Sequence, residues 1–383
     1  MPTEKDIRKF DGPKTPFYYY DTDMLNRTLE SVTSESAKYG FHVHFAVKAN
    51  FNRRIMETIA GHGLGADCVS GNEIKLALET GFKPADIVFA GVGKSDTEIG
   101  YALDSRIFCF NCESVAELQV INELAVAGGS VASVALRINP NVDANTHSYI
   151  TTGIEDSKFG IRMEDLERAV SFASESNGLK LRGMHFHVGS QILNLNVFRN
   201  LCVRINEMLN WFDSRGNFID VINVGGGLGI DHSNPDALPP FAEYFRIFGT
   251  MLERKPHHKI FFELGRAITG QSGSLITRVL YIKEGENTSF AIVDAGMTDL
   301  IRPSLYQAYH KIENITSAVG EVRYTVAGPV CESADVFARN IPLPVTRRGD
   351  LLAIRSAGAY GEVMASRYNM RDLPGSIFSD EAI

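Results

Sequence analysis

The stretch Phe41-His42-Val43-His44-Phe45-Ala46-Val47-Lys48-Ala49-Asn50 reads as a short apolar run that ends in a lysine. Phe41 to Val47 has the length and composition of a buried strand. Lys48 then stands at the strand's exit, where a barrel or an open sheet collects its chemistry. A desolvated amine drops in pKa and becomes a nucleophile toward carbonyls. The plain alternative is a lysine that closes a strand in water. The surroundings of this stretch decide between the two.

Upstream, Pro16 to Tyr20 is strand-like and an amphipathic helix is expected over 23–38. Downstream, apolar strand candidates recur at 64–69, 86–90, 106–110, 132–138, 182–188, 219–224 and 259–264. Helical stretches fall between most of them, at 52–61, 72–80, 95–103, 114–125, 163–176, 195–213 and 241–253. Over 114–125 the apolar Val115, Leu118, Ile121 and Leu124 keep one face toward a sheet. Eight buried strands separated by helices predict an α/β fold, a (β/α)8 TIM barrel over 22–268, rather than an open doubly wound sheet. After Thr269 the helices stop. Runs at 274–283, 290–294, 322–326 and 350–356 predict a second, C-terminal domain, a β-sandwich or β-barrel over 269–383, with residues 1–21 joining it through the strand near Tyr18. The gap from Asn139 to Arg162 is too long for a plain turn and reads as a functional loop at the barrel mouth.

Composition narrows the function classes. The 383 residues are 44% hydrophobic and 22% charged, as in a globular protein with a sizeable core. A net charge of −8 argues against a nucleic-acid partner. No run is long and apolar enough to span a bilayer, and the polar start is not that of a signal peptide. Five cysteines, Cys68, Cys109, Cys112, Cys202 and Cys331, point to reduced thiols and a cytoplasmic setting. Cys109-x-x-Cys112 has redox spacing, but without a second pair it reads as core packing.

The strand ends carry the chemistry. Lys48 follows the first strand, Asp67 ends the second, Asn111 follows the fourth and Arg137 ends the fifth. His187 and Ser190 end the sixth, Gly225-Gly226-Gly227 follow the seventh, and Glu263-Leu264-Gly265-Arg266 end the eighth. A barrel gathers these ends into one mouth. The glycines allow backbone N–H groups to approach a phosphate, and the loops after strands seven and eight are a usual phosphate site. Gly93-Lys94-Ser95 resembles the end of a P-loop, but Val88 stands where its first glycine belongs. His185-Phe186-His187 and His42-Val43-His44 raise a metal reading, since histidines two apart on a strand share a face. Lys48 at the mouth, with His42 and His44 lower in the barrel, argues for no metal. In the second domain, Cys331-Glu332 follow the turn-forming Gly328-Pro329, Ile301-Arg302 precede Tyr306, and Tyr360 sits among small residues.

Five ordered stretches carry a resemblance across nearly the whole chain. They are Phe45 to Asn50, His187-Val188-Gly189-Ser190-Gln191, the glycine triplet, Asp294-Ala295-Gly296-Met297 with Ile301-Arg302-Pro303, and Cys331-Glu332-Ser333. Together the sequence resembles the fold-type III pyridoxal-phosphate decarboxylases, the group with the alanine-racemase-like barrel. The resemblance implies pyridoxal 5'-phosphate as cofactor, carried as an imine by Lys48. It implies cofactor contacts from Asp67, Arg137, His187, Ser190, Gly225, Gly226, Gly227, Glu263, Gly265, Arg266 and Tyr360. His187 would stack on the ring and Glu263 would bond its nitrogen. Arg266, Arg302, Tyr306, Glu332 and Tyr360 would contact substrate, and Cys331 would donate a proton. Cys331 and Glu332 would come from the partner in a homodimer with a shared site. The implied reaction is decarboxylation of meso-2,6-diaminopimelate to L-lysine and carbon dioxide. Ornithine-, arginine- or carboxynorspermidine-type decarboxylation, or cofactor binding without catalysis, are the alternatives. One departure is Leu264, where that family usually has proline.

Overall fold

The computed structural model describes residues 12–139, 158–286 and 288–381, together with Ile7 and Phe10. The expected loop at 139–162 therefore lies largely outside the described residues. The chain opens with β1 (Phe17–Tyr20) and α1 (Thr22–Ala37). Eight parallel strands follow: β2 (His42–Ala46), β3 (Gly65–Cys68), β4 (Ile87–Phe89), β5 (Cys109–Cys112), β6 (Ala132–Arg137), β7 (Leu179–His185), β8 (Val221–Asn223) and β9 (Lys259–Leu264). They pair in chain order, and β9 closes on β2 with His42 opposite Phe261 and Phe45 opposite Leu264. The helices between them are α2 (Arg53–Gly61), α3 (Gly71–Glu79), α4 (Asp96–Asp104), α5 (Val115–Ala127), α6 (Met163–Glu175), α7 (Asn196–Ser214) and α8 (Phe241–Met251).

Local chemistry sets these boundaries. Asn52, Ser70, Ser95 and Ser114 cap α2 to α5, each accepting from a backbone N–H of the first turn. Ser95 and Glu98 form a reciprocal capping box. Phe262 of β9 is enclosed by the rings of Tyr244, Phe245 and Phe248 of α8, with centroids 5.0–5.6 Å away. Two strands sit differently from their expected ranges. Arg106 adopts φ +54° and turns the chain after α4, so β5 starts at Cys109 and contains Asn111. β7 ends at His185, and His187 lies beyond the ladder, before Gly189 at φ +128°. Cys109 and Cys112 are buried, and burial pushes the Cys109 thiol up to about 12, as an inert packing residue requires.

The second sheet is mixed and eight-stranded. Its path runs β12 (Ile312–Asn314), β15 (Leu351–Ile354), β10 (Gly273–Glu284), β11 (Ser289–Val293), β13 (Val322–Ala327), β14 (Val336–Leu343). β1 pairs antiparallel with β10 and parallel with β16 (Gly375–Phe378). β10 serves both halves of this β-sandwich: its first part lies between β1 and β15, and past a bulge at Val279 to Tyr281 it pairs with β11. Two short helices, α9 (Arg266–Thr269) and α10 (Arg302–Tyr306), belong to this part of the chain. The described residues divide into two compact units, Leu29–Gly229 with Pro240–Gly265, and Met1–Thr28 with Ile230–Pro239 and Arg266–Ile383. Against the expected division at 22 and 268, the start of α1, the segment 230–239 and residues 266–268 fall with the sheet. No helix among the described residues is long and apolar enough to cross a membrane.

Candidate active site

β2 stops at Ala46, and a single 3-10 turn, Val47–Ala49, raises Lys48 out of the ladder. Its Nζ lies 3.0 Å from Oδ2 of Asp67, the third residue of β3. The Lys48 side chain is 38% exposed and that of Asp67 is wholly buried. Lys48 is thus held by an ion pair rather than by the desolvation its position suggested. Burial and the nearby Glu263 push the Asp67 carboxyl up to about 6, against the opposing pull of Lys48.

Glu263 of β9 is anchored through both carboxylate oxygens. Its Oε1 accepts from Asn111 Nδ2 at 2.9 Å and from Asn223 Nδ2 at 2.7 Å. Its Oε2 faces His185 Nε2 at 2.9 Å. All four residues are buried. Burial alone would raise this carboxyl; His185 and then Lys48 outweigh it and hold Glu263 well below the usual carboxylate range. His185 therefore serves a carboxylate through Nε2.

The glycine triplet follows Asn223 directly. Gly225 and Gly227 have φ of +72° and +110°, a region that favours glycine. Gly226 is needed for a different reason: a Cβ there would lie 2.0 Å from the carbonyl oxygen of Glu263. The Gly225 N–H donates to Asn223 Oδ1 at 3.0 Å, and the Gly226 N–H points to His187 Nδ1 at 3.4 Å. Burial, then Arg137 and Lys48, hold His187 well below its usual pKa, so its ring is neutral. Ser190 lies on the loop that pairs with the glycine turn through Ile192 N–H to Gly227 O at 2.9 Å. Arg137, at the end of β6, donates to Glu113 Oε1 at 2.6 Å and covers the Phe159 ring at 4.7 Å. Glu113 Oε2 in turn accepts from the Gly160 N–H.

The other expected residues lie in the β-rich unit. The Arg266 guanidinium is 4.8 Å from the Tyr360 ring centroid, and that of Arg302 is 5.8 Å from Tyr306. Both arginines are buried. Burial, with Arg266 as a like charge, lowers Arg302 to about 9. The Arg302 Nε is buried with no hydrogen-bond partner among the described residues. A buried cation of this kind calls for an anion. Cys331 is the one exposed cysteine, on a turn closed by the Val330 N–H donating to Asp335, whose other carboxylate oxygen accepts from the Met297 N–H of a separate loop. The neighbouring Glu332 accepts from the Tyr368 hydroxyl at 2.8 Å.

Sequence reasoning named Lys48, Asp67, Arg137, His187, Ser190, the glycines and Glu263 as strand-end groups. It gave no role to Asn223 or to Asn111 beyond its position, and it weighed His185 only for metal. Their place directly at strand ends was the available signal. The barrel's residues fit pyridoxal phosphate. Lys48 offers an amine, Glu263 a fixed anion for a protonated ring nitrogen, His187 a neutral ring, and Gly225 to Gly227 a backbone that no Cβ obstructs.

The chain is similar to known proteins along nearly its whole length. A family model described as "Pyridoxal-dependent decarboxylase, pyridoxal binding domain" matches residues 23–270. The chain is 54% identical over 380 residues to the diaminopimelate decarboxylase of Bacteroides thetaiotaomicron, covering 98% of each. It is 40% identical over 358 residues to that of Aquifex aeolicus, covering 93% of this chain and 84% of the relative. Among solved structures, the diaminopimelate decarboxylase of Helicobacter pylori complexed with L-lysine superposes with a TM-score of 0.93 at 39% identity, covering 98% of this chain and 94% of the other. Matched along most of its length by that model and nearly end to end by those relatives, the chain belongs to the pyridoxal-dependent decarboxylase family.

Proposed function

We infer that the chain decarboxylates meso-2,6-diaminopimelate to L-lysine and carbon dioxide with pyridoxal 5'-phosphate. The observation that carries this reading is Glu263, held as an anion by three donors in a chain that aligns nearly end to end with diaminopimelate decarboxylases. When bound, the cofactor supplies a conjugated ring that takes up the electron pair released as carbon dioxide leaves.

Each residue has a task in this reading. Lys48 would hold the cofactor's aldehyde through its amine, which Asp67 holds at 3.0 Å. Glu263 holds a proton at the ring nitrogen, which keeps the ring electron-poor. His187 would offer its neutral ring, and Arg137 its charge, to the bound cofactor. The phosphate is held by Gly225, Gly226, Gly227, Gly265, Ser190 and Arg266. Arg302 takes the distal carboxylate of the substrate, its buried charge being suited to a bidentate anion. Tyr306, Tyr360 and Arg266 line the substrate, and Glu332 takes its distal ammonium. Cys331 protonates the α-carbon. Its exposure, with that of Glu332 and of Met370 at 95%, supports a homodimer in which this edge completes the partner's site. A cytoplasmic setting accords with four buried, unpaired cysteines.

The test is carbon dioxide release from meso-diaminopimelate by the purified, cofactor-loaded protein, with the visible spectrum followed alongside. Turnover at least a hundredfold above that of ornithine, arginine and lysine is expected. A colourless protein, or preference for ornithine or arginine, overturns the assignment.

A further inference from the structure

We propose that Asn111, Asn223 and His185 are positioning residues that fix the charge and the aim of Glu263, and that Asn223 also couples Glu263 to the glycine turn. The inference rests on the reading that Glu263 serves the ring nitrogen, and it extends that reading to residues with no role so far.

The argument is one of donors and acceptors. Among the described residues, every side chain that hydrogen-bonds to the Glu263 carboxylate does so with a nitrogen: two amide NH2 groups on Oε1 and an imidazole nitrogen on Oε2. The Asn223 amide cannot be reversed, because its Oδ1 accepts the Gly225 N–H at 3.0 Å. Its Nδ2 must therefore face the carboxylate. Asn111 is tethered from behind, its backbone carbonyl accepting from the buried Lys94 Nζ at 2.9 Å. His185 Nδ1 is buried with no hydrogen-bond partner among the described residues. A proton on that nitrogen would be a buried, unsatisfied N–H, so the proton sits on Nε2 and is donated to Glu263. A protonated Glu263 would thus find no acceptor for its own O–H, and the ionised form is selected. With two bonds on Oε1 and one on Oε2, the carboxylate keeps an acceptor site on Oε2.

The coupling follows from the same amide. Asn223 joins the carboxylate meant for the ring to the first glycine of the turn meant for the phosphate. Moving one end moves the other.

The experiment uses the full chain stripped of cofactor and reloaded. Dissociation constants are measured by fluorescence titration for pyridoxal 5'-phosphate and for its 1-deaza analogue, which carries C–H in place of the ring nitrogen. The wild type is expected to prefer the nitrogen ring. In Asn111→Leu and Asn223→Leu that preference should fall about tenfold, the size of a lost charge-assisted contact. Asn223→Leu should also weaken the deaza analogue, since Gly225 loses its acceptor; Asn111→Leu should not. Variants that fold by circular dichroism and keep the wild-type ratio overturn the proposal, because a merely structural role would weaken both ligands alike. Should either variant fail to fold, nitrogen-15 NMR of His185 in the unsubstituted chain decides: a proton on Nε2 supports the proposal and a bare Nε2 overturns it. A wild type indifferent to the ring nitrogen defeats the Glu263 reading instead, and the His185 spectrum still judges the donor arrangement.

Discussion

Replacing Lys94 by methionine should destabilise the barrel far more than the loss of one lysine usually does. The Lys94 side chain is 1% exposed and its Nζ donates to Gly91 O at 2.6 Å, Asn111 O at 2.9 Å and Glu117 Oε1 at 2.5 Å. The Glu117 side chain is 12% exposed, and its Oε2 accepts the Glu113 N–H. Lys94→Met leaves that carboxylate without its cation, which costs roughly 3–5 kcal/mol for a buried pair. At about 2–4 °C per kcal/mol in a unit of this size, the midpoint should drop by roughly 6–20 °C. The double variant Lys94→Met/Glu117→Gln removes the stranded charge while keeping the acceptor for Glu113, and should recover about 2 kcal/mol or more. The pH dependence has a definite sign. Burial raises Glu117, opposed chiefly by Lys94, so the variant's Glu117 titrates higher still. A carboxyl raised in the folded state contributes stability that is present below its unfolded pKa and lost as pH rises through its folded value. The deficit of Lys94→Met should be small near pH 5 and grow toward pH 8 in urea unfolding. A variant within about 1 kcal/mol of wild type at pH 8, or a double variant no better than the single, refutes the reasoning.

Three further outcomes are expected. Gly226→Ala places a Cβ 2.0 Å from the Glu263 carbonyl oxygen, so the glycine turn must move; cofactor affinity should fall at least tenfold by equilibrium dialysis while helix content is retained. Arg302→Ala should raise the KM for meso-diaminopimelate by about two orders of magnitude, as expected for a lost bidentate carboxylate contact; an unchanged KM removes Arg302 from the substrate. Asp67 is raised from 3.8 to about 6, so the cofactor-free chain should lose stability as pH climbs from about 4 to 6, by on the order of 3 kcal/mol relative to Asp67→Asn, which lacks that titration; equal slopes in the two proteins refute it.

The barrel was readable because its strands are covered on both faces, which writes many of them as short apolar runs such as Val134-Ala135-Leu136 or Ile260-Phe261-Phe262. The sheet of the second unit was readable only in part. β14 contains Pro342 and β16 begins at Gly375 directly after Pro374, and both lie at sheet ends where proline is tolerated. Their composition resembles that of loops, so no run announced them. At the site, Lys48 and the glycines stood out because their chemistry is local to a few residues. The donors around Glu263 did not. Asn111, His185 and Asn223 come from three strands, separated from Glu263 by 152, 78 and 40 positions, and an amide carries no periodicity that betrays its partner.

Asp67 and Glu263 show why that hidden arrangement matters. Both are buried carboxylates of the barrel, each feels the other's charge, and burial pushes both toward the neutral form. Two such groups cannot both be cheaply ionised. What separates them is His185, which acts with Lys48 on Glu263, whereas Asp67 is held chiefly by Lys48 and its Oδ1 has no hydrogen-bond partner among the described residues. The charge therefore resides on Glu263, where a ring nitrogen needs it, and Asp67 is the member that yields its charge first as pH falls. Lys48, paired with the more weakly held anion, is the more readily released to a carbonyl. A design that gave Asp67 the donors and left Glu263 bare would keep the same residues in the same barrel and invert which one stays charged.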